Sequence, residues 1–501
     1  MKVLLVYPAF PDTFWSFKHA LKFVGKTASM PPTGLLTVAS LLPKKWEKRL
    51  ADLNVKSLSG RDIAWADMVM VSAMNAQLRS TEEVLDRCQA AGVRTIAGGP
   101  LFSAEPETWI GKVDHIIAGE AENTLPAFIN DLCAGRPEAL YRADEFPDMV
   151  RTPIPDWSLM KTGKYETVGI QFSRGCPHNC DFCNVTALFG HRVRTKSSEQ
   201  IISELNSLYD AGWRSGVFFV DDNFIGNRKY LKSSLLPALI EWHRIRRTIT
   251  FQTQTSILIA DDPYLLKMMV NAGFVTVFIG IETPDEESLR ECNKTHNTGR
   301  NLLEDVKKIQ RAGIQVQAGF IVGFDNDKPS VFQRQIDFIQ KSGIVTAMVA
   351  MLQAPAGTKL HTRLKESGRI TGLMNDGTDG NTNIKPVMGL DILKRGYRKI
   401  LLGIYSPVAY YERVRTFLKE YKHAGKTKPH FSFEQLLAIP RSIITLGIKG
   451  KERFEYWKLF RWTWFNCPSL LPLALRLAIY GYHCRMIMES NGTDIQRMTA
   501  E

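Results

Sequence analysis

The sequence predicts an α/β protein in three parts: a doubly wound parallel sheet, a partial (β/α)6 barrel and a mainly helical region. Three observations carry this. Apolar strand-like runs alternate with amphipathic stretches over residues 1–145, strand-then-helix units repeat six times over 164–368, and the alternation stops in 369–501.

In the first part the strand-like runs are KVLLVYP, MVMVSAM, VRTIAGG and HIIAGE, with helical patterns at Leu35–Pro43 and Ser80–Ala91 between them. A βαβ order makes the sheet parallel, covers both its faces with helices and leaves ligands to the carboxyl ends of the strands. Residues 146–163 read as a linker, because FPDMVRTPIPDW carries three prolines and little periodicity. The six barrel strands fall near Thr167–Ser173, Gly216–Asp222, Ile249–Ser256, Thr276–Thr283, Gln315–Gly323 and Thr346–Ala354. Helical patterns at Glu199–Asp210, Asp262–Ala272, Leu302–Ala312 and Val331–Ser342 separate them. Such a barrel does its chemistry at the C-terminal strand ends, where the informative motifs cluster. Past Arg369 the run LMNDGTDGNTN reads as a loop leading into the helical region.

Composition narrows the class. With 44% hydrophobic and 23% charged residues, the chain has material for large cores and is not a disordered protein. Its first ten residues, MKVLLVYPAF, lack a signal-peptide core, which places the expected protein in the cytoplasm. Eight cysteines in 501 residues are too sparse for a disulfide scaffold, and three of them fall within eight positions, as metal binding requires. The net charge of +13 is uneven: Lys385–Glu501 holds 20 Lys+Arg against 9 Asp+Glu, a net +11, leaving +2 for the rest. That block suits an anionic membrane, nucleic acid or an acidic partner, or is a solvated helical face. No uncharged apolar run reaches 18 residues, so no span is expected; KERFEYWKLFRWTWF (451–465) suits either an interfacial helix or core packing.

The strongest motif is SRGCPHNCDFCN, Ser173–Asn184, directly after the first barrel strand. Thiolates of Cys176, Cys180 and Cys183 at CxxxCxxC spacing can hold three irons of a 4Fe-4S cubane and leave the fourth open. The same spacing also suits a zinc site completed by His178 or His191.

With the aromatic Phe182 inside CxxxCxΦC, the motif resembles that of the radical S-adenosylmethionine (SAM) superfamily. The resemblance extends to FFVDDNFIGN (218–227), GIETPDEESL (280–289) and GFIVGFDND (319–327). It implies that Cys176, Cys180 and Cys183 are the cluster ligands and catalytic residues. The open iron then binds S-adenosylmethionine, which one electron cleaves to methionine and a 5′-deoxyadenosyl radical. It further implies that Glu282 accepts the ribose hydroxyls and that Gly319 and Gly323 admit the adenine. Asp222 and Asn223, after Asp221, are implied at the methionine moiety. The bland alternatives are an exposed acid at a strand end, glycines that relieve packing, and an Asp/Asn turn. Arg192 and Arg194 either pair with an anion or face solvent.

VSAM, with Ser72, Ala73 and Met74, and IAGGP, with Gly98 and Gly99, look like the small-residue loops that take the nucleotide tail of cobalamin in its flavodoxin-like (Rossmann-like) domain. The loop after the first strand, YPAFPDTF, lacks the DxHxxG motif of a histidine-ligated cobalamin, and His19 lies in a helical pattern. Bound cobalamin is therefore expected without a histidine ligand; the alternative is a vestigial sheet. MPPTGLLTVASLL (30–42) resembles a segment at the domain junction of cobalamin-dependent members, and YYERVRTFLKEY (410–421) resembles the helical extension of the subgroup that includes hopanoid C-2 methylases. That subgroup implies a methyltransferase acting on an unactivated carbon, such as one of a polycyclic lipid, with a flavodoxin or ferredoxin as reductant. The implied partners are a small-molecule or lipid substrate and peripheral membrane contact through the C-terminal region, with no nucleic acid. A cyclase, coupling or rearrangement enzyme with the same cofactors, and a non-catalytic sensor, are the alternatives.

Overall fold

The computed structural model describes residues 1–374, 377–378, 380–422 and 433–498; Asn375, Asp376 and Asp379 of the expected loop lie outside them. The N-terminal sheet has six strands: β1 Lys2–Tyr7, β2 Glu47–Asp52, β3 Met68–Ser72, β4 Arg94–Gly98, β5 His115–Ile117 and β6 Leu140–Tyr141. All pair in parallel in the order β2-β1-β3-β4-β5-β6, so the winding reverses between β1 and β3. Alternation along β1 explains the two layers. Val3 and Leu5 join the core made with Leu35, Ala39 and Phe128, whereas Leu4 and Val6 join the core made with Ile63, Val84 and Phe102. A strand with both faces covered reads as a continuous apolar run, which is why β1 and β3 stand out in the sequence.

Six further parallel strands form the barrel: β7 Thr167–Ile170, β10 Gly216–Phe219, β11 Phe251–Thr255, β12 Phe274–Glu282, β13 Gln315–Val322 and β14 Ala347–Met351. Between β7 and β10, the short antiparallel pair β8 Ser173–Arg174 and β9 Arg194–Thr195 closes the base of the three-cysteine loop. The linker is packed rather than loose: Met149 and Trp157 are buried, and the Asp156 amide donates to the Leu36 carbonyl. At the junction, Thr33 Oγ1 donates to the Gly169 carbonyl (3.2 Å) and the Thr167 amide to the Ser29 carbonyl (2.9 Å), which puts Met30–Leu42 against the first barrel strand.

Helices Leu390–Tyr405, Pro407–Glu420, Phe433–Ser442, Arg453–Asn466 and Leu471–Met498 make up the C-terminal region. Tyr405 donates to the Ala347 carbonyl on β14 (2.6 Å) and stacks on Phe14 of the loop after β1. A partial barrel has two edge strands with unpaired backbone. Here β7 is met by residues 28–33 and β14 by the helix carrying Tyr405, so N- and C-terminal segments share the barrel's core. Among the described residues, no helix is long and apolar enough to cross a membrane.

Candidate functional site

Asp221, fully buried at the end of β10, fixes the start of the three-cysteine loop. Its carboxylate accepts from the amides of Phe172 (3.1 Å) and Ser173 and from the Ser173 hydroxyl. Burial pushes its pKa up to about 7 against the pull of those donors. Gly175 follows with φ +91°, and a Cβ there would strike the carbonyls of Arg192 and Gly190, so the tight turn into Cys176 needs glycine. Cys176, Cys180 and Cys183 are partly buried free thiols on one loop. Burial raises all three, Cys183 to about 12, so an uncompensated thiolate set is unfavourable there and a metal partner would supply the compensation. A soft three-thiolate donor set suits an iron-sulfur cluster. His178, a possible fourth ligand in the zinc alternative, instead stacks on His296 with ring centroids 3.8 Å apart.

The barrel interior opens beside this loop. Along β12 Val275, Phe278 and Gly280 are partly exposed and the terminal Glu282 is buried, and along β13 Gln317, Gly319 and Ile321 are partly exposed. Glu282 has φ +63° where the β12/β13 register shifts, a conformation that costs a carboxylate residue about 1–3 kcal/mol. The backbone kink directs its carboxylate back over Gly280 and Gly319: a Cβ on Gly280 would collide with Glu282 Oε1 and Lys294 Nζ, and one on Gly319 would lie 4.0 Å from Glu282 Oε2. Asp222 accepts from the Gly175 amide (3.3 Å), and burial pushes its pKa up to about 6. Asn223 is buried and accepts from the Ser256 amide (3.1 Å), bracing the ends of β10 and β11. Gly323 is different. Its φ is +108°, a Cβ would meet Leu393 at 3.0 Å, and its amide donates to Asp327, so that glycine fits the barrel wall to the C-terminal helices.

Ser72, Ala73, Met74, Gly98 and Gly99 lie together at the carboxyl ends of β3 and β4. Gly99 (φ +87°) would place a Cβ 2.6 Å from Ser72 Oγ and 3.1 Å from the Ala73 carbonyl, while Met74 is exposed. Trp15, on the loop after β1, reaches the barrel mouth, with its ring 5.3 Å from Phe278. His19 packs toward His483, and His115, the histidine of β5, bonds the Glu138 carbonyl at the opposite end of the sheet.

Sequence reasoning missed the latch between the two sheets. Glu120, after β5, accepts from Arg174 and Arg194, and Glu122 accepts from Arg174 (2.8 Å) and Thr152 (2.7 Å), all nearly out of solvent. Arg194 is thus an ion-pair residue, and Arg192 is exposed. Lys294, also missed, is buried with Nζ 2.7 Å from Glu282 Oε1. The only signal for either was an acid or base at a strand end or in a loop, which does not reveal its partner.

Comparison with known proteins matches residues 170–339 to the radical SAM superfamily, 27–129 to the B12 binding domain and 358–497 to a domain of unknown function, DUF4070. An uncharacterized methyltransferase of Synechocystis sp. is 39% identical over 91% of this chain and 86% of its own length. The hopanoid C-2 methylase of Rhodopseudomonas palustris is 33% identical over 96% of this chain and 93% of its own. Among solved structures, the radical SAM methyltransferase TsrM from Kitasatospora setae, with cobalamin and a [4Fe-4S] cluster bound, shares the fold at TM-score 0.58 and 14% identity, covering 92% of this chain and 98% of that one. The cobalamin-dependent SAM radical enzyme OxsB does so at TM-score 0.57 and 15% identity, covering 99% of this chain and 80% of that one.

Proposed function

The chain belongs to the cobalamin-dependent radical SAM methyltransferases, and from that membership we propose that it methylates an unactivated carbon of a polycyclic lipid taken from an anionic membrane surface. Its cofactors are a 4Fe-4S cluster, S-adenosylmethionine and cobalamin. When bound, the cluster and S-adenosylmethionine supply hydrogen abstraction and cobalamin supplies the methyl group.

In this reading Cys176, Cys180 and Cys183, with Phe182 packed behind them, hold the cluster. Glu282 offers Oε2 to the ribose hydroxyls, since Oε1 is engaged by Lys294. Gly319 leaves the room beside that oxygen for the adenine, with Gly323 setting the wall behind it. Asp222 and Asn223 flank the methionine end next to Cys176. Ser72, Ala73, Met74, Gly98 and Gly99 accept the cobalamin tail, with no imidazole at that edge of the sheet. A low-potential flavodoxin or ferredoxin in the cytoplasm supplies the electron.

The observation that carries the lipid assignment is the outer face of helix Arg453–Asn466. Tyr456, Leu459 and Thr463 face the core, while Phe454 (75% exposed), Trp457, Trp464 and Phe465 (80% exposed) face outward with Arg453, Lys458 and Arg461. Aromatic rings left in water are unfavourable unless another surface covers them, so an exposed aromatic stripe interleaved with bases suits the headgroup level of an anionic bilayer. Trp462 does not belong to that stripe; it is partly buried against the core. The 33% identity to a hopanoid methylase supports the same substrate class.

Two measurements test the proposal. With methyl-labelled S-adenosylmethionine, the product gains one labelled methyl group; an unlabelled product of altered connectivity marks a cyclase or rearrangement enzyme instead. The full chain floats with phosphatidylglycerol vesicles, and Phe454→Ala/Trp464→Ala/Phe465→Ala loses most of that binding. Equal flotation of the two proteins, together with unchanged methylated polycyclic lipids in a deletion strain, would remove the lipid assignment.

A further inference from the structure

One short segment, Cys292–His296, is fastened along the three-cysteine loop by four contacts. The Asp181 amide donates to the Cys292 carbonyl (3.0 Å), and Asn293 Nδ2 donates to the Asn179 carbonyl (2.9 Å). Lys294 Nζ lies 5.9 Å from the centre of the Phe182 ring, and His296 stacks on His178. Asn293 itself has φ +55°, the turn that brings the segment back onto the loop after helix Glu286–Glu291. These contacts touch residues 178, 179, 181 and 182, interleaved with the cysteines, so the segment sets where the loop sits.

Within this clasp Lys294 is a buried cation. Its side chain is 10% exposed and its ammonium is paired to Glu282, whose own backbone is strained to make the pair. Its Nζ stands 2.7 Å from Glu282 Oε1, a carboxylate partner that favours the ammonium form in a buried place. Burying an ion pair is a poor route to stability, because desolvation of the two ions offsets most of their attraction. What the arrangement does provide is an oriented ion pair in a low-dielectric site, with its ammonium end beside Phe182 of the loop that carries the cysteines. An electron added to a cluster makes it more negative, and a nearby fixed cation favours that state.

We propose that Lys294 is a positioning residue that raises the reduction potential of the cluster, with Glu282 aiming its ammonium and the Cys292–His296 clasp holding it on the cysteine loop. The inference rests on the reading that Cys176, Cys180 and Cys183 hold the cluster. One electron enters from the external reductant, and no bond forms or breaks at Lys294.

The test is an EPR-monitored redox titration of the cluster-reconstituted full chain, without S-adenosylmethionine, alongside iron and sulfide analysis. Lys294→Met removes the cation and shifts the midpoint potential downward, whereas Lys294→Arg keeps it near native. Glu282→Gln removes the opposing charge and shifts it upward. A purely structural role would not give shifts of opposite sign. Two unshifted variants, or two shifted in the same direction, overturn the inference. If Lys294→Met fails to hold a cluster, Lys294→Gln, which keeps a polar group but no charge, takes its place: a downward shift supports the role, and none overturns it. A native chain that takes up no cluster would instead defeat the underlying reading of the cysteines.

Discussion

Alanine in place of Cys176, Cys180 or Cys183, one at a time, abolishes 5′-deoxyadenosine formation by the reduced protein. Three thiolates are the fewest that hold a cubane while leaving one iron open, so each loss removes a ligand of the proposed site. His178 is stacked on His296, and the Cys292 thiol lies in an apolar cluster with Phe324 and Leu352, with its Sγ 3.5 Å from the Leu289 carbonyl. Cys133→Ala serves as the control, because that thiol is exposed on the helix Ala121–Cys133, away from the barrel, and its loss leaves formation unchanged. Mass spectrometry of deoxyadenosine with parallel iron analysis reads the outcome. Native-level product from any of the three variants would remove these cysteines from the site.

Most of the scaffold was legible because its strands are buried on both faces or end in motifs. β1, β3 and most of the barrel strands announce themselves as apolar runs, β11 (FQTQT) shows as an alternating strand, and CxxxCxΦC marks the loop after the first of the six. The edge strands of the N-terminal sheet were not legible: β2 reads EKRLAD, four of its six residues charged because much of it faces solvent, and β6 has only two residues. Nor did the sequence show that Glu120 and Arg174, 54 positions apart, meet, since ion-pair partners across a domain junction leave no periodicity. Lys294 was hidden for a similar reason. It sits in a loop with no pattern, and only the fold brings it to Glu282. Aromatic residues in 451–465 gave an ambiguous signal because the helix uses both faces, one for the core and one for the surface.

Arg174→Met destabilises the junction by about 3–5 kcal/mol at neutral pH, the usual cost of stripping one partner from a buried ion pair. The guanidinium bridges Glu120 and Glu122, and after its loss Glu120 still has Arg194, whereas Glu122 keeps no cation and is left with the Thr152 hydroxyl and its own backbone amide. Burial pushes the Glu122 carboxyl up, but in the native chain the hydrogen bond and charge of Arg174 outweigh it and hold the pKa below the ordinary value. The native group therefore contributes stability that is present above its unfolded pKa and is lost as pH falls through the folded one. In the variant burial, the largest influence, is opposed only by the Thr152 hydroxyl and a backbone amide, so the folded pKa is expected above the unfolded value and the sign reverses: stability falls as pH climbs through the carboxylate range. The gap between the two proteins is thus narrowest in acid and widest at neutral pH. Scanning calorimetry of the first transition, at matched ionic strength across that range, measures it. Adding Glu122→Gln to the variant removes the stranded charge and recovers much of the loss at neutral pH, because residues that share a contact do not act additively. Since Arg174 stands two positions before Cys176, the single variant also loosens the cysteine loop and lowers iron retention. A single variant that melts with the native protein at neutral pH would show that the latch contributes nothing to holding the two sheets together.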